Sequence, residues 1–306
     1  MSLLALLVAL LAQHAWPPPA RQPLMAFYGR MCLSAAKRLD AGDRNSGIVA
    51  WLALIFGVMV PAALVTALAV AIHPFVVWIL DIVVLYGTLR FLATTAELSA
   101  IERMLRVGDT TGAATRLAIW QGEPVSADDT GSIARLSVEQ GLREAHHGVF
   151  APLFWYLVLP GPLGLILYPL AWRAAVAWSQ SAASAENDFG WFAARAFHAI
   201  DWVPQRLTAF AFAVVGDFEN AIFCWRSQAA AWIRPEEGIV LASGAGALGT
   251  RLGDPVSRAG SLFFRPGLGT GESAREDALA SLEGLLWRAL ALWLVVYLLA
   301  AALRYH

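Results

Sequence analysis

Charged residues are scarce in this chain of 306 residues. Asp, Glu, Lys and Arg together make up 15% of it, against about a quarter in an ordinary soluble domain. Cysteine is scarcer still, because Cys32 and Cys224 are the only two and their spacing matches no metal or redox motif. These shortages exclude a disulfide-stapled secreted domain. The apolar fraction of 58% and the mean hydropathy of +0.58 also exclude a disordered chain and indicate a protein of the lipid bilayer.

An excess of positive charge is absent too. The 22 basic residues are balanced by 23 acidic ones, which gives a formal net charge of −1. The chain therefore has no overall cationic field to hold nucleic acid, and we expect no nucleic-acid partner. The lipid bilayer is the expected partner instead.

Long apolar runs define the fold class. About 20 apolar residues cross roughly 30 Å of hydrocarbon as a helix. Gly47–Ile72 carries no charge, with Pro61 as a kink, and Phe75–Ala93 follows it to form a hairpin. Leu285–Leu303 is the last span. We predict an all-α, polytopic helical integral membrane protein with re-entrant and interfacial amphipathic helices.

Proline interrupts two further apolar stretches. Val149–Trp172 is long enough to span, but Pro160-Gly161-Pro162 lies in its middle and predicts two half-helices in a re-entrant hairpin. Leu3–Ala12 is too short to span and lacks the basic start of a secretory signal. We predict an uncleaved, partly inserted anchor that ends at Pro17-Pro18-Pro19.

The remaining sequence connects these segments within a single membrane domain. Its predicted parts are an anchor with a basic segment (1–46), a transmembrane hairpin (47–93), a cytoplasmic helical loop (94–148), a proline-broken membrane segment (149–172), an interfacial and loop region (173–282) and a C-terminal transmembrane helix (283–306). Arginines beside the hairpin place both flanks in the cytoplasm. Asn187–Ala213 is rich in aromatic residues and predicts a helix pair in the headgroup layer. Gly253–Ser273 predicts a loop.

A glycine motif follows an apolar stretch near the end of the chain. Gly244-Ala245-Gly246-Ala247-Leu248-Gly249 satisfies the dinucleotide pattern GxGxxG. Such a site requires a βαβ unit of about 30 residues, whereas Arg251-Leu252-Gly253-Asp254-Pro255 would end any helix after about two turns. We therefore favour a small-residue helix that packs closely.

Two polar features lie in or beside predicted membrane segments. Asp81 is costly inside an apolar span, so it predicts either a functional group or a structural ion pair with Arg288, and both interpretations stay open. His146 and His147 are candidate metal ligands, but adjacent helical residues point about 100° apart. A polar helix end is the favoured interpretation there.

The stretch from Asp201 to Ala209 combines a candidate helix cap, a proline and an arginine within a few residues. If Pro204 starts a helix, Asp201 caps it and Arg206 projects from its first turn. Arg206 and Arg251 are then candidate ligands for a phosphate group. Capping combined with arginine snorkelling is the favoured alternative.

Several segments, taken in order, resemble the CobD/CbiB family of cobalamin biosynthesis and its AmpE branch. They are Ala151-Pro152-Leu153-Phe154-Trp155, Asp188-Phe189-Gly190-Trp191, Asp201-Trp202-Val203-Pro204 with Arg206-Leu207, Gly216-Asp217-Phe218, and the glycine motif with Arg251-Leu252-Gly253 and Pro255. The resemblance implies a multi-pass protein of the bacterial inner membrane. In the enzymatic branch it implies adenosylcobinamide-phosphate synthase, which joins an aminopropanol unit to a corrinoid carboxylate as an amide.

The candidate site residues come from this resemblance and from the polar features described above. Glu139 and Asp201 are the catalytic candidates, and the ligand-binding candidates are Arg206, Arg251, Asp188, His147 and Asp81. A synthase would use ATP and Mg²⁺, since a carboxylate must be activated before an amine attacks it. A corrinoid is then the expected ligand.

Departures of this sequence from the pattern of the enzymatic branch favour the AmpE branch. Arg143–Gly148 replaces the Glu-Asn and Asp-Gly of the enzymes, and Arg173–Trp178 replaces a second polar segment. We therefore predict an AmpE-like sensor or signalling modulator without synthase activity, without cofactor or metal, and with a membrane or cell-wall-recycling protein as partner. The synthase is the alternative.

Overall fold

A computed structural model of the chain describes residues 2–16, 23–125, 129–181, 188–253, 256–258 and 261–304. Helices dominate these residues. They are α1 (Ser2–Ala15), α2 (Pro23–Leu39), α3 (Arg44–Ile72), α4 (Pro74–Thr88), α5 (Phe91–Arg106), α6 (Thr110–Gln121), α7 (Thr130–Ala145), α8 (Ala151–Val158), α9 (Leu163–Ser181), α10 (Trp191–Val215), α11 (Phe218–Gln228), α12 (Pro235–Leu248) and α13 (Asp277–Arg304), with a π-helix at His146–Phe150 and a 3₁₀ turn at Ala229–Ala231.

Three helical segments among the described residues are long and apolar enough to cross a membrane: Arg44–Ile72, Pro74–Arg106 and Asp277–Leu303. The predicted helical spans are thereby confirmed as apolar helices. The span Pro74–Arg106 is interrupted, because α4 ends at Thr88 and α5 begins only at Phe91. At this break the Arg90 N–H donates to the Gly148 carbonyl at 3.0 Å, outside any helical ladder.

The proline-broken segment forms two helices, as its sequence predicts. α8 ends at Val158, Gly161 adopts a positive φ of 58°, and α9 begins at Leu163. A Cβ at Gly164 would lie 2.1 Å from the Trp155 carbonyl oxygen, so only glycine allows α8 and α9 to approach this closely. The two helices therefore pack as a tight hairpin, and its return to the same membrane face stays a prediction.

Predictions for two regions are wrong. α10 is one continuous helix that runs through Pro204, so the pair of helices predicted within Asn187–Ala213 is a single helix, Pro204 does not begin a helix and Asp201 does not cap one. The predicted loop Gly253–Ser273 contains three short strands: β2 (Val256–Arg258) pairs antiparallel with β3 (Ser261–Phe263), and β4 (Glu272–Ser273) pairs in parallel with β1 (Thr250–Arg251), which lies just before the loop. Pro17-Pro18-Pro19 and Pro255 lie outside the described residues.

The chain divides into two compact units, and each has its own core. The first unit comprises Met1–Leu89, Ala151–Trp202 and Tyr297–His306. Its main cluster of buried side chains comes from α2, α3, α9 and the start of α10, with Trp178 fully buried and its indole N–H donating to the Cys32 carbonyl at 2.9 Å. This core is almost wholly apolar.

The second unit comprises Arg90–Phe150 and Val203–Val296. The glycine motif lies here in α12 as a small-residue helix, which confirms the favoured interpretation. A Cβ at Gly246 would lie 2.4 Å from the Asn220 carbonyl oxygen, so glycine lets α11 and α12 pack backbone to backbone. α7 also packs against α5, α6 and α12, and that position buries its polar side chains.

Candidate functional site

Polar side chains line α7 even though most of this helix is buried. Arg135, Ser137, Glu139, Gln140 and Glu144 are each less than 10% exposed. A charged group in such surroundings is costly unless it is paired and hydrogen bonded. These side chains and their hydrogen-bond partners therefore form a buried polar region in the second unit.

Glu139 is fully buried and lies at the centre of this network. Arg265 donates to both of its oxygens, with Nη1 at 2.6 Å from Oε2 and Nη2 at 3.2 Å from Oε1. The Gly253 N–H donates to Oε1 at 3.1 Å, and Arg143 Nη2 donates to Oε2 at 3.4 Å. The carboxylate therefore fixes the segment that follows the glycine motif.

Only glycine can occupy position 253. Its φ is +88°, and a Cβ there would lie 2.2 Å from the Pro266 carbonyl oxygen. Its own carbonyl accepts from Arg265 Nη2 at 3.4 Å. Glu139 thus binds the N–H of Gly253 and Arg265 binds its carbonyl, so both backbone polar groups of this residue are held.

The network continues along α7. Arg143 Nη1 donates to Gln140 Oε1 at 3.3 Å, and Gln140 Nε2 donates to Glu144 Oε1 at 3.3 Å. Glu144 in turn pairs with Arg90 at 3.0 Å. We name this sequence of contacts, from Arg265 through Glu139, Arg143, Gln140 and Glu144 to Arg90, the α7 polar chain.

A π-helical turn begins where α7 ends. His146, in this turn, is buried, and its Nδ1 lies 3.0 Å from the Thr208 hydroxyl. That hydroxyl has one proton, which it donates to the Pro204 carbonyl at 3.0 Å. With that proton directed at Pro204, the Thr208 oxygen is left as an acceptor toward Nδ1, which suits a protonated Nδ1. π-Helical turns of this kind occur frequently at functional sites.

The two predicted carboxylates of the first unit each meet a tyrosine. Asp201 is buried, and the Tyr168 hydroxyl donates to its Oδ1 at 2.9 Å. Asp81 is also buried, and the Tyr156 hydroxyl donates to its Oδ2 at 3.0 Å. Arg288 belongs to the second unit, where its Nε donates to the Gly284 carbonyl of its own helix, and its predicted ion pair with Asp81 stays a prediction.

The remaining predicted ligand-binding residues are more accessible. Asp188 is exposed and pairs with Arg44 at 2.9 Å. Arg251 is exposed and donates to the Ser273 hydroxyl at 3.3 Å, while Arg206 is half-buried. His147 is half-buried, and its ring centroid lies 4.7 Å from that of His146. The joint phosphate site of Arg206 and Arg251 stays a prediction.

Two members of the second unit's site, Arg265 and Arg90, were not candidates from the sequence. Arg265 lies in a glycine-rich stretch with no local signal, and it reaches Glu139 across 126 positions of sequence. Arg90 lies within the predicted hairpin, and nothing near it in the sequence marks Glu144 as its partner. His146 was named beside His147 as a candidate metal ligand, with a polar helix end as the favoured interpretation.

These features define the class of protein: a helical membrane protein with one strongly polar, buried helix. The family model described as "CobD/Cbib protein" matches residues 3–285. The chain belongs to the CobD/CbiB family.

Similar proteins come from several bacteria. Cobalamin biosynthesis protein CobD of Stutzerimonas stutzeri is 33% identical over 285 residues, which cover 92% of this chain and 91% of the relative. The protein of the same name from Chromobacterium violaceum is 33% identical over 297 residues, with 94% and 92% covered. Cobalamin biosynthesis protein CbiB of Salmonella choleraesuis is 27% identical over 305 residues, with 94% and 92% covered. No solved structure matches the chain.

These relatives correct the predicted function. They are named for cobalamin biosynthesis, which contradicts a sensor or signalling modulator without synthase activity and gives no support to an AmpE-like assignment. The stretch Arg143–Gly148, whose departure from the enzymatic pattern favoured the sensor, is polar and buried in the structure: it supplies Arg143 and Glu144 to the α7 polar chain and contains His146, which contacts Thr208.

Proposed function

We propose that this chain is a multi-pass protein of the bacterial inner membrane that acts as adenosylcobinamide-phosphate synthase. The reaction joins an aminopropanol unit to a corrinoid side-chain carboxylate as an amide. The observation that carries the proposal is the family match over residues 3–285, together with relatives named for cobalamin biosynthesis at 33% identity. The basic segment before α3 faces the cytoplasm in this proposal.

The amine that forms the amide attacks through its lone pair, so an ammonium group must first lose a proton to a base. An imidazole ring can accept that proton, and His146 is a buried imidazole in the π-helical turn that follows α7. Its contact with the Thr208 hydroxyl orients the ring. We assign the general-base role to His146 for these reasons.

Glu139 acts as a positioning residue in this proposal. Its oxygens already accept four hydrogen bonds, from Gly253, Arg143 and twice from Arg265, so this carboxylate does not fit a Mg²⁺ site and we derive no step through a metal there. ATP, when bound, supplies the activation that a carboxylate needs. The guanidinium groups of Arg206 and Arg251 have the donor chemistry that phosphate prefers.

Complementation tests the proposed function. The chain is expressed in a bacterial strain that lacks its own synthase and requires cobalamin for growth, on medium without cobinamide. We expect growth, because the chain supplies the missing amide-forming step. Cobinamide in the medium should restore growth without the chain and serves as the control. Absence of growth, with the chain present in the membrane at normal level, would overturn the proposal.

A pair of variants tests the role of His146. His146→Gln keeps polar contacts but cannot take up a proton at neutral pH, so we expect kcat to fall by about 100-fold or more with little change in KM. His198→Gln is the matched control, since His198 is exposed on α10. Equal kcat values for the two variants would show that His146 has no catalytic function.

A further inference from the structure

A groove runs between α2 and α3 in the first unit. Its volume is about 530 Å³, within the range of roughly 300–1,000 Å³ that small-molecule sites occupy. The floor is apolar and comes from α3, at Ala50, Ala53, Leu54 and Gly57. Because α3 is a membrane-crossing candidate of mean hydropathy 2.6, this floor lies on a surface suited to hydrocarbon.

One wall of the groove is cationic. Arg30, Ser34 and Arg38 line it, and their spacing of four residues places all three on one face of α2. Both arginines are exposed, and neither forms an ion pair with another residue that the structure describes. α2 contains no acidic residue to neutralise them. The groove thus joins an apolar floor to two uncompensated guanidinium groups.

The spacing of the two arginines restricts the position of an anion. Eight residues of α-helix rise by about 12 Å. Both long side chains can therefore reach the same anionic group only if it lies between them, beside Ser34. The Ser34 hydroxyl is exposed there and is a further donor. A phosphate group has the charge and the acceptor oxygens that these three side chains match.

We propose that this groove binds an anionic phospholipid, with the phosphate at Arg30, Ser34 and Arg38 and an acyl chain along the floor at Ala53 and Gly57. Charge complementarity selects the ligand, because a zwitterionic headgroup carries a cation that the arginines repel. Basic pockets beside membrane helices bind anionic headgroups by the same physics. The site is independent of the proposed synthase reaction.

Lipid retention measures the proposal directly. The full chain is purified in nanodiscs that contain equal amounts of phosphatidylglycerol and phosphatidylcholine with the same acyl chains, and the retained lipid is identified by native mass spectrometry. We expect preferential retention of phosphatidylglycerol. Arg30→Gln and Arg38→Gln should each lower that preference about five-fold, and the double variant should abolish it.

Two variants distinguish lipid binding in the groove from general attraction of anionic lipid to the basic residues of α2. Lys37→Gln removes an exposed cation of the same helix that does not line the groove, so the lipid preference should stay as in the wild type. Gly57→Leu leaves the charge unchanged but fills the floor. Nothing lies within 4 Å of a Cβ at Gly57, so the chain should fold normally while retention of phosphatidylglycerol falls.

Three outcomes would overturn the proposal. The first is equal retention of both lipids by the wild type. The second is a loss of preference in Lys37→Gln as large as in Arg30→Gln. The third is a change of oligomeric mass in the double variant with unchanged lipid retention, which would assign the groove to a second copy of the chain.

Discussion

The two units bury charge in different ways. In the first unit, Asp81 and Asp201 each accept from a tyrosine hydroxyl. In the second unit, Glu139 and Glu144 pair with guanidinium groups, and one buried amide joins the two pairs. A neutral donor adds no second charge to an apolar core, whereas an ion pair adds one and gains a stronger attraction. The comparison indicates that the second unit is held by a buried network of ion pairs, whereas the first unit holds its buried carboxylates with neutral donors.

The largest expected effect comes from breaking the buried ion pair of the second unit. Glu139→Ala leaves Arg265 without its carboxylate, so the free energy of unfolding should fall by about 3–5 kcal/mol. Thermal unfolding in detergent measures this change. Glu272→Ala is the control, because both side chains of the Glu272–Arg275 pair are exposed and the pair should contribute at most about 0.5 kcal/mol. Similar losses in both variants would contradict the importance of burial.

The next effect concerns the close packing of α11 and α12. Gly246→Ala places a Cβ against the Asn220 carbonyl oxygen, which is backbone and cannot turn aside, so we expect a loss of up to about 3 kcal/mol. Gly284→Ala is the matched control on α13, where nothing lies within 4 Å of the new Cβ. It should stabilise the helix by about 0.5–1 kcal/mol. Thermal unfolding that ranks the two variants in the reverse order would refute this account.

A tyrosine variant examines the first unit in the same manner. Tyr168→Phe removes the hydroxyl that donates to Asp201, and the buried carboxylate loses one of its hydrogen bonds. We expect unfolding to become easier by about 1–2 kcal/mol. Tyr86→Phe removes an exposed hydroxyl that donates to the Trp16 carbonyl, and its cost should be about 0.5 kcal/mol. A loss for Tyr168→Phe as large as that for Glu139→Ala would remove the contrast between the units.

The smallest effect depends on pH and concerns Asp129, which caps α7. Its carboxylate accepts from the Ser132 N–H at 3.0 and 3.2 Å. The hydrogen bond with the Ser132 side chain, and then the one with its N–H, lowers the pKa of Asp129, while desolvation opposes this shift. Since the folded-state pKa is depressed, the cap stabilises α7 above the unfolded-state pKa, and this contribution is lost as pH falls through the folded-state pKa.

Two substitutions separate the cap from its charge. Asp129→Ala should cost about 1 kcal/mol at neutral pH. Asp129→Asn should keep most of that stability, because an amide oxygen also caps a helix, while the acid-dependent loss from this position disappears. Unfolding curves recorded from neutral to acid pH measure both. An acid dependence of Asp129→Asn identical to that of the wild type would assign the effect to another group.

The membrane helices were predictable because helical hydrogen bonds are local. Gly47–Ile72 and the break at Pro160-Gly161-Pro162 follow from apolar length and from the missing N–H of proline. Pro204 shows the limit of this reasoning, since α10 continues through it. A proline removes one hydrogen bond of the helix, and the tertiary contacts of α10, among them the Tyr168–Asp201 and His146–Thr208 hydrogen bonds, stabilise the helix in spite of that loss.

The sequence by itself determined that this chain is a helical membrane protein, that its family is CobD/CbiB and that its glycine motif is a packing helix. Only the tertiary structure decided the partners of the buried charges. Glu139 was a candidate from the sequence, but Arg265 lies 126 positions away, and no local pattern connects them. Backbone hydrogen bonds within a helix join residues four apart, whereas a buried carboxylate is neutralised by whichever cation the fold brings to it.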